Sequence, residues 1–276
     1  WMTGDTGTKA IPYWRKVEAS IKPRFSSTQA PVMAHIEFDI GASQTLKLTQ
    51  SSHRAYGTNT QDILLVALLL SLGSDNEFGE DKNEEGGNVG KRKNTSLSIA
   101  LETHGRHAEH LCLNGKNADL SETVGWFTSI YPINLSGNGA RISDLICSIK
   151  EQVRSVPDKG VGYSWLKSYT DSLDKNAAQP DILFNFLGQF GGDTAPDSIG
   201  KTQTAFSVVP GFRAEDGSKG HMTPRAMAFN CRVSDGVLSF DLDYDTGCLS
   251  HEQVSAYSVQ FQKRLTQVID HCVEQE

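Results

Sequence analysis

The chain lacks the ingredients of several functions. No uninterrupted apolar run in its 276 residues approaches the roughly 20 that a membrane-spanning helix needs. The longest, Ile63–Leu70, has the length of a core helix. The opening residues, Trp1-Met2-Thr3-Gly4-Asp5, hold neither the basic nor the apolar region of a signal peptide, and a start on Trp1 reads as a fragment of something longer. Basic residues are outnumbered: 26 Lys and Arg against 33 Asp and Glu leave a net charge of -7. That balance argues against nucleic-acid binding, which relies on neutralising phosphates. The one basic cluster, Lys91-Arg92-Lys93, follows an acidic stretch and reads as a solvated loop edge. There is no Cys-x-x-Cys pair; Cys112, Cys147, Cys231, Cys248 and Cys272 are scattered and odd in number, as expected of reduced thiols in a cytoplasmic protein. His104, His107 and His110 recur every three residues, but Gly105 interrupts them and no supporting ligands lie at metal spacing, so no metal site is expected. Val156–Tyr163 reads as a turn without the glycine pattern or the Lys-Ser/Thr of a nucleotide loop.

What is present is clear hydrophobic patterning. Ile36, Phe38 and Ile40 alternate with His35, Glu37 and Asp39, which predicts a half-buried strand over 34–40. Capping residues at 58–62 precede a buried helix from Ile63 to Leu72. Residues 73–96 turn polar and charged, a surface insertion too poor in apolar groups to offset its ordering entropy, and therefore expected to be disordered. A strand follows over Ser96–Leu101, an amphipathic helix over Ile142–Val153 and a short apolar strand over Leu183–Leu187. After a Gly-rich polar stretch to about residue 218, Ala226–Val233 and Val237–Tyr244 flank Ser234-Asp235-Gly236, a hairpin signal. Val254, Tyr257, Phe261, Leu265, Val268 and Cys272 share one face of a C-terminal helix. The result is an α/β layered fold with a mixed or antiparallel sheet and flanking helices; without strict alternation of strand and helix it is not doubly wound.

Four segments could carry chemistry. Leu101-Glu102-Thr103-His104-Gly105-Arg106-His107 puts a carboxylate at a strand end beside imidazole and guanidinium, which suits acid/base work; the plain alternative is a Glu102–Arg106 ion pair. Thr123–Pro132 sets Gly125 beside Trp126 and Phe127 and ends on Tyr131-Pro132, a pattern of tight packing. Gly160-Val161-Gly162-Tyr163 forms the third. Phe184-Asn185-Phe186-Leu187-Gly188 buries one amide, which must find partners.

In this order and spacing, these stretches and Asp62–Leu68 resemble the epimerisation domains of non-ribosomal peptide synthetases, within the condensation-domain superfamily. The resemblance covers nearly the whole chain outside the charged insertion. It implies a lobe like chloramphenicol acetyltransferase, the C-terminal one of two: residues 31–276 form the lobe and 1–30, with Ile11-Pro12-Tyr13-Trp14, the segment linking it to an N-terminal lobe. The family's His-His-x-x-x-Asp-Gly motif belongs to that other lobe, and no His-His pair occurs here, so this chain alone is expected to be inactive. The implied reaction inverts Cα of an aminoacyl or peptidyl thioester held on the 4'-phosphopantetheine of a carrier protein, with no intrinsic cofactor. Glu102 is then the catalytic carboxylate. His104, Arg106, Asn185, Trp126, Tyr131 and Tyr163 support it or orient the substrate. The implied partners are the N-terminal lobe, a peptidyl carrier protein domain and neighbouring synthetase domains. Two residues depart from the family pattern: Phe186 stands where Tyr is frequent, and Thr103 where Gly is usual. The alternatives are an amide-forming condensation domain, with Glu102 merely structural, and a degenerate domain that only docks carriers.

Overall fold

A computed structural model describes residues 5–25, 27, 30–73, 95–107, 112–113, 116–117, 119–120, 122–137, 141–190 and 225–275. In chain order the elements are α1 (Asp5–Ser20), β1 (Met33–Asp39), α2 (Gly41–Gln50), α3 (Thr60–Leu72), β2 (Thr95–Thr103), β3 (Cys112–Leu113), β4 (Lys116–Asn117), β5 (Ser129–Gly137), α4 (Ile142–Arg154), α5 (Tyr163–Tyr169), β6 (Ile182–Phe190), β7 (Met227–Ser234), β8 (Val237–Asp245) and α6 (His251–Glu274).

Asn59 starts the buried helix as the sequence predicts. Its side chain accepts from the Asp62 amide while Asp62 reaches back to the Asn59 amide, a reciprocal cap. α3 is apolar on every side because it is enclosed on every side: it packs against α6, α4 and β2, and Ile63 through Leu69 have no exposed surface. The Asp235-Gly236 turn has positive φ at both residues, 50° and 75°, which matches strand twist and closes the β7–β8 hairpin tightly.

Six strands form one sheet in the order β1-β8-β7-β6-β2-β5. β6 runs parallel to both β7 and β2, and the remaining pairs are antiparallel, so the sheet is mixed, as expected. One face is the core. Phe38 stacks on Phe240 at 4.8 Å, and Phe261 of α6 meets Phe240 edge-on at 5.1 Å, which seats the last helix on the sheet. The opposite face is polar along one rung: Glu102, Asn185, Asn230, Asp241 and Glu37 lie side by side across five strands.

Several elements differ from expectation. β2 continues past Leu101, so Glu102 lies within the strand. β6 runs to Phe190, with an irregular register between Phe186 and Gln189. The turn at Val156–Tyr163 winds into a short 3-10 turn over Pro157–Gly160 and then into α5. Within 1–30, residues 5–20 are helical despite Pro12; α1 lies on β5 and α5, burying Trp14, and Asn134 donates its amide to the Val17 carbonyl at 3.0 Å. Of the charged insertion, 74–94 lies outside the described residues, as does 191–224 of the Gly-rich stretch. No helix among the described residues is long and apolar enough to cross a membrane.

Candidate active site

Glu102 is held by its neighbours on either side. It is registered against Ile130 of β5 and Asn185 of β6, so its backbone is fixed within the sheet. The side chain is partly buried and makes no hydrogen bond among the described residues. Burial raises the pKa of its carboxyl above the ordinary carboxylate value, because a charged oxygen there loses water without gaining donors; the Arg225 guanidinium partly offsets this. Arg225 lies two residues before β7 and donates to the Pro180 carbonyl. Burial pulls its own pKa down, against the nearby Asp181, Tyr163 and Glu102.

Beside Glu102, Asn185 is 8% exposed, and its side-chain Nδ2 donates to Asn230 Oδ1 at 3.4 Å. Phe186, next along β6, points to the other side of the sheet and packs against the core. A phenol at that position would therefore extend from the core face, away from the Asn185 row.

The loop after β2 is built around Gly105 and Arg106. Gly105 has φ +64°, and a Cβ there would collide with the Phe127 carbonyl, so this position accepts only glycine. The Arg106 guanidinium donates to the carbonyls of Leu120 (2.9 Å), Thr123 (2.9 Å) and Gly125 (3.1 Å) and lies over the Phe127 ring at 4.4 Å. The ion pair with Glu102 that the sequence left open is not formed. His104 Nδ1 accepts from the Arg106 amide at 3.1 Å, and its ring lies 4.5 Å from that of His107; His110 falls outside the described residues. Among the described residues the Thr103 hydroxyl is buried without a partner.

The remaining candidates divide between surface and core. Trp126 is 90% exposed on the loop that Arg106 clamps. Tyr131 and Tyr163 are both buried around Trp14, whose ring is 5.9 Å from Tyr131 and 4.8 Å from Tyr163. Burial pushes both phenols far up in pKa. Tyr163 donates to Glu18 Oε1 at 2.9 Å, and Lys167 Nζ meets the same oxygen at 2.6 Å. Ser129 donates to the Gly160 carbonyl at 2.9 Å, and Gly160, at φ +82°, lies so close to the Tyr131 ring that a Cβ there would collide with it. The structure thus brings Glu102 and Asn185 together, sets His104, Arg106 and Trp126 in the adjoining loop, and places Tyr131 and Tyr163 in an aromatic support beneath β5.

A model of the Condensation domain family matches residues 91–276. The chain belongs to the condensation-domain family. That match takes in β2 through α6, so Glu102, Arg106, Asn185 and Arg225 all lie within the condensation-domain portion. Over 241 residues, 86% of its length, the chain is 33% identical to Bacitracin synthase 3 of Bacillus licheniformis. Over 282 residues, 97% of its length, it is 32% identical to Surfactin synthase subunit 1 of Bacillus subtilis (strain 168). It spans only 3% and 7% of those two synthases. Among solved structures, the epimerization domain from the third module of tyrocidine synthetase B superposes with a TM-score of 0.75 at 26% identity. The alignment covers 99% of this chain and 57% of that domain.

Two residues of the site escaped the sequence. Asn230 and Arg225 lie forty or more residues from Asn185 and over a hundred from Glu102, and only the fold makes them neighbours. The strict alternation of buried and less buried residues along β7 is the signal that could have placed Asn230 on the non-core face.

Proposed function

We propose that this chain is the C-terminal lobe of an epimerisation domain that inverts Cα of an aminoacyl or peptidyl thioester carried on a peptidyl carrier protein. The observation that carries the reading is the state of Glu102: a partly buried carboxylate, unpaired within the described chain, on the polar face of the sheet. A structural carboxylate at such a position is ordinarily paired; one left unpaired, with its pKa raised, is suited to exchanging a proton. The 26% identity with a solved epimerization domain over nearly the whole chain supports the same reading.

The chemistry requires no bound cofactor. The thioester carbonyl acidifies Cα–H; a base on one face takes the proton while the bond's electron pair delocalises onto the carbonyl. An acid on the other face then returns a proton to Cα, with inverted configuration. Glu102 supplies one of these two groups, and the histidine motif of the N-terminal lobe supplies the other. Positioned proton transfer contributes about 10²–10⁴-fold. His104, Arg106 and Trp126 shape the adjoining wall, Tyr131 and Tyr163 brace it, and Asn185 orients the substrate. The substrate arrives on the phosphopantetheine arm of a carrier, so the partners are that carrier, the N-terminal lobe and the flanking synthetase domains, in the cytoplasm.

The test uses the two-lobed polypeptide and a carrier loaded with an L-aminoacyl group, followed by chiral analysis of the released amino acid. A mixture of D and L product supports epimerisation. Amide formation with an added acceptor and no D product supports the condensation reading, and neither product leaves only carrier docking.

A further inference from the structure

Between α1 and the 171–178 loop that follows α5 lies a cleft of about 570 Å³, within the range of small-molecule sites. Arg15 and Glu18 line it from α1, three residues apart, a spacing at which opposite charges ordinarily pair. Here each is drawn elsewhere. Arg15 Nε donates to the Ser172 carbonyl at 3.0 Å, and its Nη groups make no hydrogen bond among the described residues. Glu18 Oε1 accepts from the Tyr163 hydroxyl at 2.9 Å and from Lys167 Nζ at 2.6 Å. The second oxygen, Oε2, has no hydrogen bond among the described residues, although Glu18 is only 7% exposed. Because Glu18 lines the cleft, Oε2 is the atom that a ligand there can reach. A carboxylate so withdrawn from water favours a donor that carries positive charge. The two other acids at the cleft have partners: Asp171 pairs with Lys175 at 3.1 Å, and Asp174 accepts from the Asn176 amide at 2.9 Å. Ala19, Leu173, Ala177 and Ala178 give the cleft an apolar wall.

We infer that the cleft between α1 and the 171–178 loop is a binding site for a free α-amino acid with an apolar side chain. The ammonium donates to Glu18 Oε2, the carboxylate accepts from the Arg15 Nη groups, and the side chain lies on the wall of alanines and Leu173. A zwitterion meets both charges at once, whereas an amine or a carboxylate alone leaves one of them unmet. None of these residues belongs to the Glu102 site, so the inference stands or falls independently of the epimerisation reading.

The experiment titrates the two-lobed protein, labelled at its alanine methyl groups, with three probes followed by NMR. L-Leucine carries both charges, isopentylamine is leucine without its carboxylate, and 4-methylpentanoate is leucine without its ammonium. L-Leucine should shift the methyl signals of Ala19, Ala177 and Ala178 with a Kd of about 1 mM. Each analogue should bind at least about tenfold more weakly, because it forgoes one charge-assisted hydrogen bond. Arg15→Gln, at an exposed position, should lower the affinity for leucine to that for isopentylamine and leave isopentylamine unchanged. Ala178→Trp fills the cleft and spares both charges; it should abolish the shifts of Ala19 and Ala177 with all three probes, while the remaining alanine signals report that the fold is kept. No shift with leucine at about 10 mM, ten times the expected Kd, would overturn the site. So would an analogue that binds as tightly as leucine, or leucine binding that survives both substitutions.

Discussion

Arg106 lies over the ring of Phe127 at 4.4 Å and directs its donors to three carbonyls of the 120–125 loop, leaving Glu102 without it. An ion pair between these two residues would have stabilised the carboxylate and lowered its pKa. Instead the arginine fixes the wall of the site, and the carboxylate stays available.

Arg106→Lys should therefore behave as a loss of function in the loop. One ammonium cannot span three carbonyls or lie flat on the ring. Urea denaturation should show a loss of about 1–2 kcal/mol, and amide exchange at Phe127 and Thr128 should accelerate.

Glu102→Gln should stabilise the protein at neutral pH. Burial raises the carboxyl pKa in the folded state above its ordinary 4.5, so the native chain binds a proton more tightly than the unfolded chain. Wild-type stability then falls as pH climbs from the ordinary carboxylate range through the raised value. Below that window the carboxyl is neutral in both states and the cost disappears. The gain in Tm from Glu102→Gln should accordingly be larger at pH 8 than at pH 5.

The aromatic support has a charged member whose partner matters. Glu18 is 5% exposed in its side chain and bonded to Tyr163 and Lys167. Lys167→Met should cost about 3–5 kcal/mol in chemical denaturation, because it leaves that carboxylate buried without its cation. The double variant Lys167→Met, Glu18→Gln should recover most of the loss.

Much of the fold was legible because hydrophobic period directly reports enclosure. β1, α3, α4, the hairpin and α6 all lie where alternation or helical spacing put them. α1 and α5 were missed: residues 1–30 read as a linking segment and Val156–Tyr163 as a turn, whereas Trp14 and Tyr163, by packing on each other at 4.8 Å, supply the burial that overrides local propensity. At the site, Glu102 and Asn185 were visible as polar residues in apolar strands. Asn230 and Arg225 were not, because parallel pairing of β6 with β7 leaves no local trace in sequence. That the Phe186 ring faces the core was hidden for the same reason, since only the pleat fixes its direction.

The most direct measurement is wash-in of deuterium at Cα of a carrier-bound L-aminoacyl thioester, comparing the wild-type two-lobed protein with its Glu102→Gln variant at equal carrier affinity. Loss of exchange by about 10²-fold or more is the predicted result. Exchange within a few-fold of wild type would contradict the assignment of Glu102 as the proton-transfer group.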